Sequence, residues 1–159
     1  MADEDAAKLA ALGYVGSARQ RPDPASLPSP RDMIGSLDEM RVVYQLATER
    51  RYAEAIPRIN VLLNRNPRLV DVRVRLAEIY LDLGRTEDAV REYKSAIGRS
   101  AVFPSEIAAS LGDAYLQAGK FDDAEIAAQM AITGSPDKAR RLLVHIALAR
   151  NDVARAGNR

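Results

Sequence analysis

The chain has 159 residues, of which 47% are hydrophobic and 28% charged, and its 23 basic side chains nearly cancel 22 acids. That length fits one folded domain, and a net charge of +1 leaves no electrostatic footprint for nucleic acid. With no cysteine there can be no disulfide, thiolate metal site or cysteine nucleophile, and no apolar run approaches the roughly 18 residues of a membrane helix.

In chain order, residues 3–12 predict a short helix, with Asp3, Glu4 and Asp5 at its positive end and Gly13 placed to stop it. An acidic start of this kind is the opposite of a secretory signal, and nothing in the sequence specifies a compartment. Pro22, Pro24, Pro28 and Pro30 fall within nine residues, so 17–29 is expected to be an extended linker. The chain therefore divides into a helix and linker over 1–29 and a helical domain over 30–159. Ser29 can cap the next helix, Pro30 suits its first position and Asp32 faces its dipole. Helices are expected at about 30–49, 52–65, 69–83, 86–99, 104–118, 121–133 and 136–149, with a stub near 152–157. Turns are marked by Asn66-Pro67, Gly84-Arg85, Gly119-Lys120, Gly134-Ser135-Pro136 and Asn151-Asp152. Pro57 falls early in the second helix, where a missing N–H matters less.

The helical part repeats itself. Leu76-Ala77, Tyr80, Gly84, Ala89, Tyr93 and Ala96 recur as Leu111-Gly112, Tyr115, Gly119, Ala124, Ala128 and Ala131. A weaker copy reads Val42-Val43, Leu46, Arg50, Ala55, Ile59 and Leu62, so the steps are 34 and 35 residues. A period of this size belongs to stacked helix pairs. Leu76 and Tyr80 lie four apart on one helix face, and Ala77 and Ala89 are small where two backbones cross. Gly84 and Gly119 can take the left-handed conformation that ends a helix, whereas Arg50 makes the first turn either different or strained.

This skeleton, with Pro67 and Pro136 closing repeats, resembles the tetratricopeptide repeat family over about 36–156. The resemblance implies an all-α fold: a right-handed α-solenoid of antiparallel helix pairs, with three motifs and a C-terminal capping helix. It also implies a non-catalytic module that binds a protein or peptide in a concave groove lined by the first helix of each pair. On that face helical spacing places Leu37, Met40, Tyr44 and Thr48, then Asp71, Val74, Glu78 and Asp82, then Glu106, Ala109, Asp113 and Gln117, and finally Lys138, Arg141 and His145. The groove would run from apolar through acidic to basic, and a partner segment of basic character is expected. Some family members hold acidic chaperone tails with a basic clamp. The matching places here carry Met40, Tyr44, Arg75, Glu106 and Ser110, of which only Arg75 is basic.

Other candidate chemistry is sparse. His145 is the only histidine and reads as a helix surface residue, with no spaced partners for a metal. Asp122, Asp123 and Glu125 suit a helix N-terminus. The cluster Lys138, Arg140, Arg141, Arg150 and Arg155 lacks the interleaved aromatics of a nucleic-acid surface. No catalytic residue, cofactor or metal, nucleic acid or membrane contact is expected, and the chain should be a monomer or weak homodimer. A second resemblance lies upstream. Lys8-Leu9-Ala10-Ala11-Leu12-Gly13-Tyr14-Val15-Gly16, the proline-rich stretch and Pro30-Arg31-Asp32-Met33-Ile34 resemble the junction after a bacterial sulfatase-like catalytic domain of the alkaline phosphatase superfamily. That resemblance implies a hydrolase whose catalytic part is absent from this chain, since Ser26-Leu27-Pro28-Ser29-Pro30 lacks the arginine of a Cys/Ser-x-Pro-x-Arg nucleophile run.

The repeat register makes one direct prediction. Ala89→Leu should overpack a helix crossing and cost about 1–3 kcal/mol, read as a lowered midpoint of thermal unfolding.

Overall fold

The computed structural model describes residues 30–102 and 104–157, with side chains from residue 35 onward. The expected helix over 3–12, the linker and the upstream junction lie outside the described residues, apart from the backbone of 30–34. Among the described residues there are seven α-helices and no strand: α1 (Pro30–Thr48), α2 (Tyr52–Arg65), α3 (Val70–Asp82), α4 (Thr86–Arg99), α5 (Ser105–Gln117), α6 (Phe121–Ala131) and α7 (Pro136–Gly157). Together they form an all-α helical solenoid. The expected break at Asn151-Asp152 does not occur, and α7 runs unbroken for 22 residues. Asn and Asp are only weak helix formers, and without Gly or Pro they do not stop a helix. Arg150, just before them, is tied to Asp122 and Glu125 of α6.

Each hairpin turn is built the same way. Gly84 N–H donates to the Leu81 carbonyl and Arg85 N–H to that of Tyr80, and Gly119 and Lys120 repeat this on Leu116 and Tyr115. Such paired bonds satisfy the last carbonyls of the helix and require a left-handed residue after its end. Gly84 and Gly119 supply it at φ 70° and 72°. The first turn makes the same two bonds, from Arg50 N–H to the Ala47 carbonyl and from Arg51 N–H to that of Leu46, with Arg50 at φ 58°. The first turn is therefore strained rather than different in kind. Just beyond each turn a basic residue precedes the next helix: Arg51 bonds Glu54 and Arg85 bonds Asp88, each three residues on. Pro57 sits in the second turn of α2 on an exposed face. There it leaves the carbonyl of Ala53, itself an exposed residue, without its helix donor.

Small side chains set the helix spacing. Ala77, Ala89, Ala96, Ala124, Ala128 and Ala131 are all fully buried. α3 pairs with α4 and α5 with α6, while α4 packs on α5, α6 on α7, and α5 lies beside α7. At Gly112 the approach is tight. A Cβ there would overlap Leu142 of α7 and stand 3.3 Å from the Ala124 carbonyl oxygen and 3.4 Å from Ala127 Cβ. One main core cluster joins Val43, Leu46, Ile59 and Leu62 of the first pair to Leu76, Tyr80 and Tyr93 of the second and Leu111 of the third. Leu142 and Ile146 of α7 close the far end over Ala124 and Ala128. Within the second hairpin, Arg73 and Glu92 make a largely buried ion pair at 2.7 Å.

The three equivalent turns allow a paired test. Arg50→Gly removes about 1–2 kcal/mol of left-handed strain and returns part of it as unfolded-chain entropy, for a net gain of about 0.5–1 kcal/mol. Gly84→Ala should lose about 1 kcal/mol. Urea unfolding midpoints of the two variants should therefore move in opposite directions.

Candidate functional site

The odd-numbered helices share one face, and contacts pass from helix to helix along it. On α3, Arg75 lies over the Tyr44 ring of α1 at 5.2 Å from its centroid and bonds Glu78 at 2.7 Å. Burial raises the Tyr44 hydroxyl pKa, Asp71 and Glu78 add to the shift, and Arg75 opposes it. Asp82 at the end of α3 accepts the Tyr52 hydroxyl of α2. On α5, Glu106 pairs with Lys138 of α7 at 3.0 Å. Among the expected apolar residues, Leu37 is 63% exposed, whereas Met40 and Val74 are partly buried against the main core. Ala109, expected on this face, is buried with Ala131 and Ala139, because the α5–α6–α7 crossing draws it inward.

The middle of the face holds an open pocket of about 410 Å³. Leu81 of α3, Tyr93 of α4, Ser110, Asp113, Leu116 and Gln117 of α5, and His145 of α7 line it. Sequence spacing points to Asp113, Gln117 and His145, and Ser110 stands at a place matching the chaperone-tail clamp, but Leu81, Tyr93 and Leu116 are missed. Tyr93 belongs to a second helix and reads as core by its position in the repeat, and 2% exposure agrees with that. What its sequence position does not reveal is that one edge of the ring borders open space.

Charge gathers around this pocket. Burial drives the Tyr93 hydroxyl pKa far upward, and the carboxylates of Glu78, Asp113 and Asp82 push the same way against Arg75. Asp113 is an exposed residue, yet the helices around it desolvate its carboxylate enough to raise its pKa. Arg141, His145 and Lys138 offset part of that shift from α7. Among the described residues, Asp113 has neither an ion pair nor a hydrogen bond, so its carboxylate is a partly desolvated acceptor without a fixed donor. The arrangement can accept hydrogen bonds and stabilise positive charge. Among the described residues no three His, Cys, Asp or Glu side chains converge as for a metal ion.

Models of the tetratricopeptide repeat match residues 46–101, 74–139 and 110–157, which together span 46–157. No curated protein matches the chain.

Desolvation of Asp113 has a pH signature. Its folded pKa lies above the unfolded value near 3.9, so the unfolded chain gives up this proton first, and the site destabilises the fold progressively as pH rises through the carboxylate range. Asp113→Asn should therefore raise the thermal midpoint at pH 7 and leave it unchanged near pH 3.

Proposed function

Because the chain belongs to the tetratricopeptide repeat family, a family of protein–protein interaction modules, we propose that the shared face of α1, α3, α5 and α7 binds a partner polypeptide of basic character. The observation that carries this reading is the open pocket at the centre of that face, lined by Asp113 with no ion pair of its own among the described residues. Glu78 (paired with Arg75) and Asp82 (bonded by Tyr52) act with it on the Tyr93 hydroxyl through space. Three carboxylates within electrostatic reach of one buried phenol make a negative focus, and basic α7 borders it on one side. Leu37, Tyr44, Asp71, Glu106, Gln117 and Arg141 extend the contact surface along the helices, with Met40 and Val74 contributing only their outer edges. Carboxylates of this kind select partner sign and speed encounter more than they add affinity. The basic clamp used for acidic chaperone tails is not part of this reading, since Arg75 is held by Glu78 and Tyr44.

A second reading concerns the larger unit. The Lys8–Gly16 motif and the proline-rich stretch after it favour a module carried as the tail of a sulfatase-like hydrolase, where it would recruit a partner or position the catalytic domain. The coding sequence upstream decides this directly, by the presence of a Cys/Ser-x-Pro-x-Arg run.

At low salt a Lys-rich peptide should bind more tightly than a Glu-rich peptide of equal length, by roughly tenfold or more, and 0.5 M salt should erase the gap. Glu78→Lys combined with Asp82→Lys should reverse the order, with a thermal melt showing that the variant remains folded. Equal binding of both peptides to the unaltered protein would dispose of the charge preference.

A further inference from the structure

We infer that the pocket between α3, α4, α5 and α7 receives one arginine or lysine side chain of the partner, its cation on Asp113 and the Tyr93 oxygen and its stem along Leu81 and Leu116. The inference rests on the reading of this face as a protein-binding surface and assigns the anchor within it. Its basis is the chemistry of the lining. Tyr93 is 98% enclosed, as its 2% exposure requires, and its hydroxyl has no hydrogen-bond partner among the described residues. The hydroxyl is not sealed off, since Tyr93 lines the open pocket, so a guest group can bond it there in place of solvent. Tyr93 is therefore a polar group held ready at the pocket wall.

The remaining polar lining is rich in acceptors. Ser110 spends its proton on the Glu106 carbonyl at 3.2 Å, which leaves its lone pairs for the pocket. Asp113 can only accept when ionised, and the Gln117 amide oxygen adds another acceptor. Gln117, His145 and Tyr93 also carry donors, but the one acid on the lining is Asp113, which favours a cationic donor such as guanidinium or ammonium. The two leucines suit the methylene stem that carries either head. Lys138 does not compete for Asp113, because it is paired with Glu106. Arg141 and His145 act on Asp113 through space without forming an ion pair, so the carboxylate has not been spent on an internal cation. An incoming cation would find Asp113 partly stripped of water, where a charge-assisted bond is stronger than at an open surface.

The test uses the whole chain labelled with ¹⁵N and titrated with four small probes while amide shifts are followed by NMR. The probes are the N-acetyl amides of arginine, lysine, glutamine and glutamate. Saturable shifts at Asp113, Leu116, Gln117 and His145 are expected with the two cationic probes alone, and their relative strength identifies the better head group. Asp113→Asn should weaken the cationic probes about tenfold, the size of one charge-assisted hydrogen bond, and Tyr93→Phe about fivefold. If Tyr93→Phe does not fold, Asp113→Asn alone decides, since the isosteric amide removes a desolvated charge. Equal shifts with the neutral or acidic probe, no saturation with either cation, or full binding by Asp113→Asn would overturn the assignment. The anchor and the wider groove fail separately. Loss of Lys-rich peptide binding on reversing Glu78 and Asp82, but not in Asp113→Asn, rejects the pocket and keeps the groove. Probe binding that depends on Asp113, with peptides that do not discriminate, keeps the pocket and rejects the groove's charge preference.

Discussion

Everything in this solenoid depends on how closely its helix backbones approach one another. With no tryptophan and few other aromatics, the core is built from leucine, isoleucine, valine and two buried tyrosines, with small residues between them. Alanine and glycine at the crossings let the helices come together until main chain and Cβ atoms fill the space. Gly112 marks the limit, since even one added methyl group would meet α7 and the main chain of α6. Close packing of this kind is stiff, because small side chains have no rotamers with which to absorb a shift. The direction of each face is thereby fixed, and residues three turns apart on different helices hold a constant relation.

That stiffness explains the electrostatics of the central pocket. Asp113, Glu78 and Asp82 are carried on packed helices near Tyr93, and each acts on its hydroxyl through space. Asp113 then carries a burial penalty that the cations of α7 only partly offset. Elsewhere several acids are spent within the fold: Asp88 on Arg91 and Arg85, Glu87 on Lys120, Glu92 on Arg73. Asp113, like Asp71, Asp123 and Asp152, has no such partner among the described residues, but of these four it is the one that lines the pocket. Its energetic cost makes sense where an arriving ligand removes it.

Much of the architecture is legible in the sequence because backbone needs leave residue-level marks. Gly84, Gly119, Pro136 and the small pairs Ala77/Ala89 and Gly112/Ala124 locate the turns and crossings within a residue or two. The continuous α7 is not legible, since Asn151-Asp152 looks like a turn wherever tertiary contacts are unknown. The basic residue before each second helix (Arg51, Arg85, Lys120) repeats at the same interval as the glycines and is visible in retrospect. Helical spacing finds the groove only helix by helix. It puts Ala109 outside because it cannot know how deeply α5 sinks between its neighbours. It also misses Tyr93, whose ring is core and whose edge is surface, a distinction that exists only once four helices are assembled.

The strained turn at Arg50 gives the assembly a polarity in how it comes apart. In a stack whose units touch only their neighbours, stability is a sum of unit and interface contributions, and opening begins where that sum is smallest. The first hairpin carries both the left-handed Arg50 and the helix-interior Pro57, while the last helix is pinned across its neighbours by Leu142, Ile146 and Arg150. The chain is thus a zipper with a loose pull at one end, and fluctuations entering there spend themselves before they reach the central pocket. Amide protons should accordingly exchange along a gradient, fastest in α1 and α2 and slowest where α4, α5 and α6 meet.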